Sequence, residues 1–223
     1  MRAILGGVRW TAPQRGVWTL TDPEVERQPP VPDADSAAAD DPDLALVRAI
    51  AEGDQEACRT LVDRHLPRML GLARRMLGNP HEAEDVAQEV FLRVWTHASR
   101  WRPEGARFET WLHRVAINLC YDRLRRKREV LVDEMPEEAD PAPNAETLYH
   151  EAHVASRVEA AIASLPDRQK TAILLCHQQG MTNIEAAAAL DVSIEALESL
   201  LARGRRRLKE ILSAEAGDLL GGV

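Results

Sequence analysis

Apolar residues recur at helical spacing along most of this chain, and the pattern predicts two groups of helices separated by stretches that lack it. Leu44, Val47, Ile50 and Ala51 mark a short helix closed at Gly53. Asp54 is placed to cap a longer one carrying Ala57, Leu61, Val62, Leu66, Met69, Leu70, Leu72 and Ala73, with Pro67 inside it as an expected kink. Asn79-Pro80-His81-Glu82 sets a capping residue before a first-turn proline and an acid at the positive end of the helix dipole. The helix that it opens should bury Val86, Ala87, Val90, Phe91, Val94 and Trp95. A loop over 100–109 then leads into a helix from Thr110 to about Lys127.

Towards the C-terminus, Thr182-Asn183-Ile184-Glu185 reads as a capping box opening a helix through Leu190. Asp191-Val192-Ser193 makes a tight turn, and Ser193 can cap a long helix to about Leu212, so that the pair forms a helix-turn-helix. Ala186 to Ala189 supply side chains small enough for close helix crossing. At about 100° per residue, the last helix puts Ile194, Leu197, Leu201, Gly204, Leu208 and Leu212 on one side and Ala196, Ser199, Arg203, Arg206 and Arg207 on the other. The expected fold is all-α: two small helical domains at 43–128 and 147–213, followed by a tail at 214–223.

The intervening segments differ in composition. Thr11 to Pro42 carries Pro13, Pro23, Pro29, Pro30, Pro32 and Pro42 among Asp and Ala, too little apolar surface to offset chain entropy; residues 1–42 are expected to be a disordered extension. Residues 129–146 hold Glu129, Asp133, Glu134, Glu137, Glu138, Asp140 and Glu146 without a base, and read as a self-repelling acidic linker. The net charge of −8 over 223 residues therefore does not exclude a nucleic-acid partner, because charges beyond a Debye length of about 8–10 Å are screened from one another. No apolar run is long enough to span a bilayer or to act as a secretory signal, which predicts a cytoplasmic protein without membrane insertion. The widely spaced Cys58, Cys120 and Cys176 fit small buried hydrophobes better than a disulfide framework or zinc site, and no metal or other cofactor is expected.

Candidate chemistry lies in three places. Phe91, Trp95, Trp101, Phe108 and Trp111 crowd one window, followed by the basic run Arg123 to Arg128. Rings and cations together suit a single-stranded nucleic acid, with stacking of roughly 1–3 kcal/mol per base, although rings at helical spacing fit a core equally well. Asp85, Gln88, Glu89 and Leu92 form a second stripe beside the apolar face of their helix, and pattern alone leaves a solvated face open. The Ser199/Arg203 face suits major-groove reading, because Arg bonds guanine edges bidentately; arginines complementing the helix dipole are the alternative. No Gly-rich phosphate loop, metalloprotease motif or convergent carboxylate pair points to an enzyme or a small-molecule substrate.

Asp85-Val86-Ala87-Gln88-Glu89-Val90-Phe91-Leu92-Arg93-Val94-Trp95, then Phe108-Glu109-Thr110-Trp111-Leu112 through Ala116-Ile117-Asn118, then Leu165-Pro166 and the helix-turn-helix, resemble the extracytoplasmic-function sigma factors of bacterial RNA polymerase over residues 43–213. The resemblance implies that Asp85, Gln88, Glu89 and Leu92 dock on the polymerase core. It implies that Trp101, Arg102, Phe108, Thr110, Trp111, Arg114, Asn118, Arg125 and Arg126 open and bind the minus-ten promoter element. The acidic linker is similar to the segment that threads the polymerase cleft. Ala196, Ser199, Arg203, Arg206 and Arg207 would read the minus-thirty-five element. The partners so implied are core polymerase, promoter DNA as duplex and single strand, and an anti-sigma protein, in the service of a stress- or signal-responsive regulon. Glu198 and Leu200 stand where the family commonly has cations, and Asp191 where it usually has Gly, which predicts fewer phosphate contacts and a shallower salt dependence. A helix-turn-helix regulator acting apart from polymerase is the alternative; it leaves the aromatic window and the Asp85 stripe without a task.

Overall fold

A computed structural model describes residues 2–5, 8–11, 19–20, 41–102, 106–133 and 157–220. These fall into two compact units, one of residues 31–134 with 181–197 and one of residues 1–30, 135–180 and 198–223.

In the first unit, α1 (Leu44–Ala51) buries Val47 and Ile50. The chain reverses at Gly53, whose φ of 92° is available to glycine at little cost. Asp54 then starts α2 (Gln55–Leu77), its carboxylate accepting from the Glu56 and Ala57 amides at 2.8 and 3.1 Å. The helix runs unbroken through Pro67 to the left-handed Gly78, whose N–H donates to the Arg74 carbonyl. Asn79 caps α3 (Pro80–His97) through the His81 and Glu82 amides, and α4 (Phe108–Asp133) follows. Helix α2 packs on α1, α3 and α4, and α3 packs on α4. The shared core includes Val47, Leu61, Met69, Leu72, Val86, Val90, Phe108, Leu112 and Ile117.

Two sequence expectations change here. Trp95 is 41% exposed and Phe91 half-buried rather than core. Trp95 lies one residue, about 100° of rotation, beyond the buried Val94, which carries it off the packed face. Helix α4 starts two residues earlier and ends six later than expected, so residues 129–133 are helix and not linker. The rest of the expected linker lies outside the described residues.

In the second unit, residues 157–163 are helical, and Pro166 leads into α6 (Asp167–Ile173); the 157–163 stretch is counted as α5. Helix α6 widens into a π-turn over Leu174–Gln178, where the Gln179 amide reaches the Leu174 carbonyl. Residues 181–197 return the chain to the first unit, where the capping box at Thr182 is present in both directions and opens α7 (Asn183–Leu190). Asp191 takes the left-handed conformation, with φ 56° and ψ 49°, which a short polar side chain tolerates. The Ser193 hydroxyl accepts from the Ala196 amide at the start of α8 (Ile194–Leu220). This last helix extends to Leu220, into the segment expected to be a tail. Gly204 belongs in its middle because a Cβ there would lie 3.2 Å from Ile173 Cγ1 of α6. Helix α7 belongs to the first unit by its packing against α4.

Three short antiparallel strands, β1 (Arg2–Leu5), β2 (Val8–Thr11) and β3 (Thr19–Leu20), occupy parts of the extension expected to be disordered. Leu5 pairs with Val8 across β1 and β2, and Trp10 with Leu20 across β2 and β3. The remainder of 1–40 lies outside the described residues. Ten strand residues leave the helical class of the chain unchanged.

Candidate nucleic-acid and partner interfaces

Helix α3 divides into two faces. Ala83, Val86, Ala87, Val90 and Val94 are buried, while Asp85, Gln88 and Leu92 are exposed and Glu89 is half-exposed. Leu92 is 55% exposed, an aliphatic side chain left out of the core. Its acidic neighbours are held by local ion pairs: Glu89 accepts from Arg93 at 3.0 Å one turn on, and Asp85 lies 3.4 Å from Arg123 of α4. Such exposed pairs are worth about 0–1 kcal/mol each, little enough for a partner to replace them.

The start of α4 is organised around Phe108, which is 1% exposed. Its ring stands edge-on to Trp101 at 5.3 Å between centroids, and Trp111 lies 5.4 Å away on a tilted plane. Aromatic pairs of this geometry add about 0.5–1.5 kcal/mol beyond the area they bury. Trp101 and Arg102 edge a depression of about 420 Å³ whose other walls include Leu44, Val47 and Ala51 of α1 and Ala98 at the end of α3. Along α4, Arg114, Asn118, Arg125 and Arg126 are exposed. Arg114 is engaged by Asp191 at 2.7 Å, and Arg125 by Asp122 at 3.0 Å. Phe108 and Thr110, both expected on the nucleic-acid surface, are instead buried, Thr110 at 4% exposure. Both therefore lie on the packed side of α4, behind its exposed residues.

Behind this surface is a buried polar network absent from the sequence reading. Asp43, at 2% exposure, accepts from His65 Nε2 at 2.7 Å and pairs with Arg64. Burial alone would push the Asp43 carboxyl up; the His65 hydrogen bond and charge, then those of Arg64, outweigh it and hold the group below its ordinary value. Asp41, 8% exposed, accepts from the Asp43 amide at 2.9 Å and from the Phe108 amide at 2.5 Å. The Asp-Pro-Asp run ahead of an apolar-periodic segment was the available signal, a helix-start composition at the edge of a segment otherwise rich in proline. Burial also pushes the Cys120 thiol up to about 12 and that of Cys176 up to about 11; none of the three cysteines forms a disulfide, and Cys120 is the fully buried one.

On α8, Ala196, Ser199, Arg203, Arg206 and Arg207 are all exposed, so the predicted face exists as a surface. Arg203 Nε donates to the Ser199 carbonyl at 3.2 Å, which draws its guanidinium along the helix, and Arg207 pairs with Glu210 at 3.3 Å. Leu197, Leu200 and Leu201 are buried, whereas Ile194, expected on the apolar side, is 40% exposed in the first turn. Leu200 is therefore a packing residue and not a lost phosphate contact; of the two departures only Glu198 lies on the surface. The exposed Glu195 carboxyl is held below its usual range by its own backbone amide and then by Ser193. Two acids thus flank the arginine face.

Residues 61–130 match the family model of Sigma-70 region 2, and residues 155–208 match that of Sigma-70, region 4. The chain is 37% identical over 175 residues to the ECF RNA polymerase sigma factor SigE of Mycolicibacterium smegmatis, covering 75% of this chain and 67% of that protein. It is 29% identical over 180 residues to the ECF RNA polymerase sigma factor SigW of Bacillus subtilis, covering 74% and 94%. Among solved structures, CnrH in complex with the cytosolic domain of CnrY matches with a TM-score of 0.59 at 28% identity, over 77% of this chain and 97% of that one. The sigma factor RpoE of Bartonella quintana, in complex with the anti-sigma factor NepR, shares the fold with a TM-score of 0.58 at 22% identity, over 69% and 95%. With region 2 on the aromatic and acidic surfaces of α3 and α4 and region 4 on the helix-turn-helix, the chain belongs to the extracytoplasmic-function sigma factors, the RNA polymerase subunits that recognise promoters and start transcription.

Proposed function

We propose that the three exposed surfaces divide the work of initiation among named residues. Asp85, Gln88, Glu89 and Leu92 dock the protein on core polymerase. Trp101, Arg102, Trp111, Arg114 and Asn118, with Arg125 and Arg126 on the phosphates, open and hold the minus-ten element, while Phe108 and Thr110 support them. Ala196, Ser199, Arg203, Arg206 and Arg207 read the minus-thirty-five element. Opening costs a few kcal/mol for each unstacked base, which stacking on Trp101 and contacts in the adjoining depression offset. The protein works by binding free energy, in the cytoplasm, with no catalytic step or cofactor of its own.

The observation that carries this reading is the second face of α3, where Leu92 is 55% exposed beside exposed carboxylate and amide groups while five neighbours on the same helix are buried. A surface of that composition is spent on a partner more readily than on the core. The same exposed leucine favours an anti-sigma protein that covers the polymerase-docking face until a signal releases it. Changing Gln88 and Glu89 together to Ala should weaken core polymerase binding roughly tenfold in a titration, since a few central contacts dominate an interface. The thermal midpoint should hold, because neither side chain is in the core. Unchanged affinity removes the assignment. For the anti-sigma partner, affinity capture from uninduced cells should recover a second protein whose binding Leu92→Glu abolishes; recovery of polymerase alone refutes it.

A further inference from the structure

Among the described residues next to its start, helix α4 has no local side-chain cap. The residues before it are Ala106 and Arg107, neither of which offers a side-chain acceptor to the first amides of a helix. The Thr110 and Trp111 amides turn back to the Arg107 carbonyl, and the Phe108 amide donates instead to Asp41 Oδ2 at 2.5 Å, across 67 residues of chain. The other carboxylate oxygen of Asp41 accepts from the Asp43 amide at 2.9 Å, and the Asp41 carbonyl accepts from the Leu44 amide at 3.1 Å, which begins α1. One buried carboxylate therefore fixes the first turn of α4 and the entry to α1 together. Its negative charge lies at the positive end of a 26-residue helix, where it is stabilising.

Both anchored elements meet at Trp101: α1 through the depression that Trp101 edges, α4 through the Phe108 ring. Helix α1 supplies Leu44 and Val47 to the wall of that depression, and Phe108 supplies the ring against which Trp101 stands. We infer that Asp41 is a positioning residue for promoter opening: it caps α4 from a distance and so holds the Phe108 and Trp101 rings in the arrangement that receives unpaired DNA. Asp41 lies ahead of residues 61–130, the part of the chain that matches region 2, and its carboxylate bonds the amides of Asp43 and Phe108, neither of them an exposed residue assigned to DNA. The inference rests on the role proposed above for Trp101.

The test uses holoenzyme reconstituted from bacterial core polymerase and the full chain, with a promoter selected from a randomised library by the wild-type holoenzyme. That promoter is offered as intact duplex and with its minus-ten segment already unpaired. Asp41→Ala should reduce transcription from the duplex by about 2- to 30-fold, the range of a lost cap. On the unpaired template, and in titration with core polymerase, it should stay within about twofold of wild type. Asp41→Asn keeps one acceptor of two and should fall between Ala and wild type; if the Ala protein does not fold, the Asn protein carries the same comparison. Amide exchange at Phe108 should quicken in step with the duplex defect. Equal losses on both templates, or no loss on either, overturn the inference. A Trp101→Ala protein that opens duplex promoter as well as wild type overturns the reading of Trp101 itself, a result separable from any obtained with Asp41.

Discussion

Around the helix-turn-helix, each helix start is secured by residues next to it: Thr182 and Glu185 satisfy each other's amides, Ser193 takes the amide of Ala196, and Asp191 turns the chain with its own backbone. At the start of α4 the amide of Phe108 is satisfied by Asp41, and the neighbouring Asp43 is held by Arg64 and His65 of α2. The first arrangement needs a few consecutive residues to adopt their preferred conformations. The second exists only when α1, α2 and α4 have already packed. On the proposed division of roles, the surface that would read base edges is served by the first kind, a helix with short caps, and the surface that would seize an unpaired strand depends on rings held by distant parts of the chain, where a single loss spreads through several elements.

The largest effects should come from the second kind of surface, at half-buried Trp101 and exposed Asn118. Trp101→Ala combined with Asn118→Ala should lower open-complex formation on duplex promoter by roughly 5- to 150-fold, the loss of about 1–3 kcal/mol of stacking. Permanganate reactivity of the minus-ten thymines reports it, and a pre-melted template should restore activity. Failure of that rescue would show that the rings do something other than open DNA.

At the helix-turn-helix a comparable loss should be selective in sequence. Removal of a bidentate arginine costs about 1–3 kcal/mol, so Arg203→Ala should relax preference at one base pair of the upstream element. Arg207→Ala should weaken all sequences alike and reduce the salt slope by about one or less, since Glu210 already balances part of its charge. Identical preference profiles for wild type and Arg203→Ala, from a saturated upstream library, would remove this face as the reader.

Stability should separate the two constructions more finely. Asp43→Ala leaves buried His65 without its acceptor and should destabilise the first unit by about 1–3 kcal/mol in a denaturant titration. Because the Asp43 carboxyl is held below its ordinary value near 3.8, its contribution is present above that pH and disappears as pH falls further, through the folded-state value. The wild-type protein should therefore lose stability in acid more steeply than Asp43→Ala; parallel acid curves would refute this. Thr182→Ala should cost about 1 kcal/mol and leave α1 to α4 untouched, as amide exchange confined to the start of α7 would reveal. Loss of protection throughout the first unit would mean that the cap is not local after all.

The elements closest to certainty from sequence were those fixed within one helical turn. The caps at Asp54, Asn79, Thr182 and Ser193 could be read directly, because each lies two or three residues from the amide it serves. The exposed stripe of α3 and the arginine face of α8 were legible from rotation of about 100° per residue. Errors appeared where rotation alone cannot say which of two neighbouring faces meets another helix: Trp95 and Ile194 came out exposed, and Phe108, Thr110 and Leu200 came out buried.

By itself, then, the chain determined two sets of amphipathic helices, the starts that carry a local cap, the exposed stripes of α3 and α8 and the resemblance to sigma factors, all of which follow from spacing and composition over short stretches. Tertiary structure alone decided which rings of the aromatic window support and which lie open, and that the carboxylates of Asp41 and Asp43 close the network behind them. The physical reason is the range of the interactions. Helix periodicity and capping act over three or four residues, whereas the burial of a ring, or a hydrogen bond between Asp41 and Phe108, depends on segments that only folding brings together.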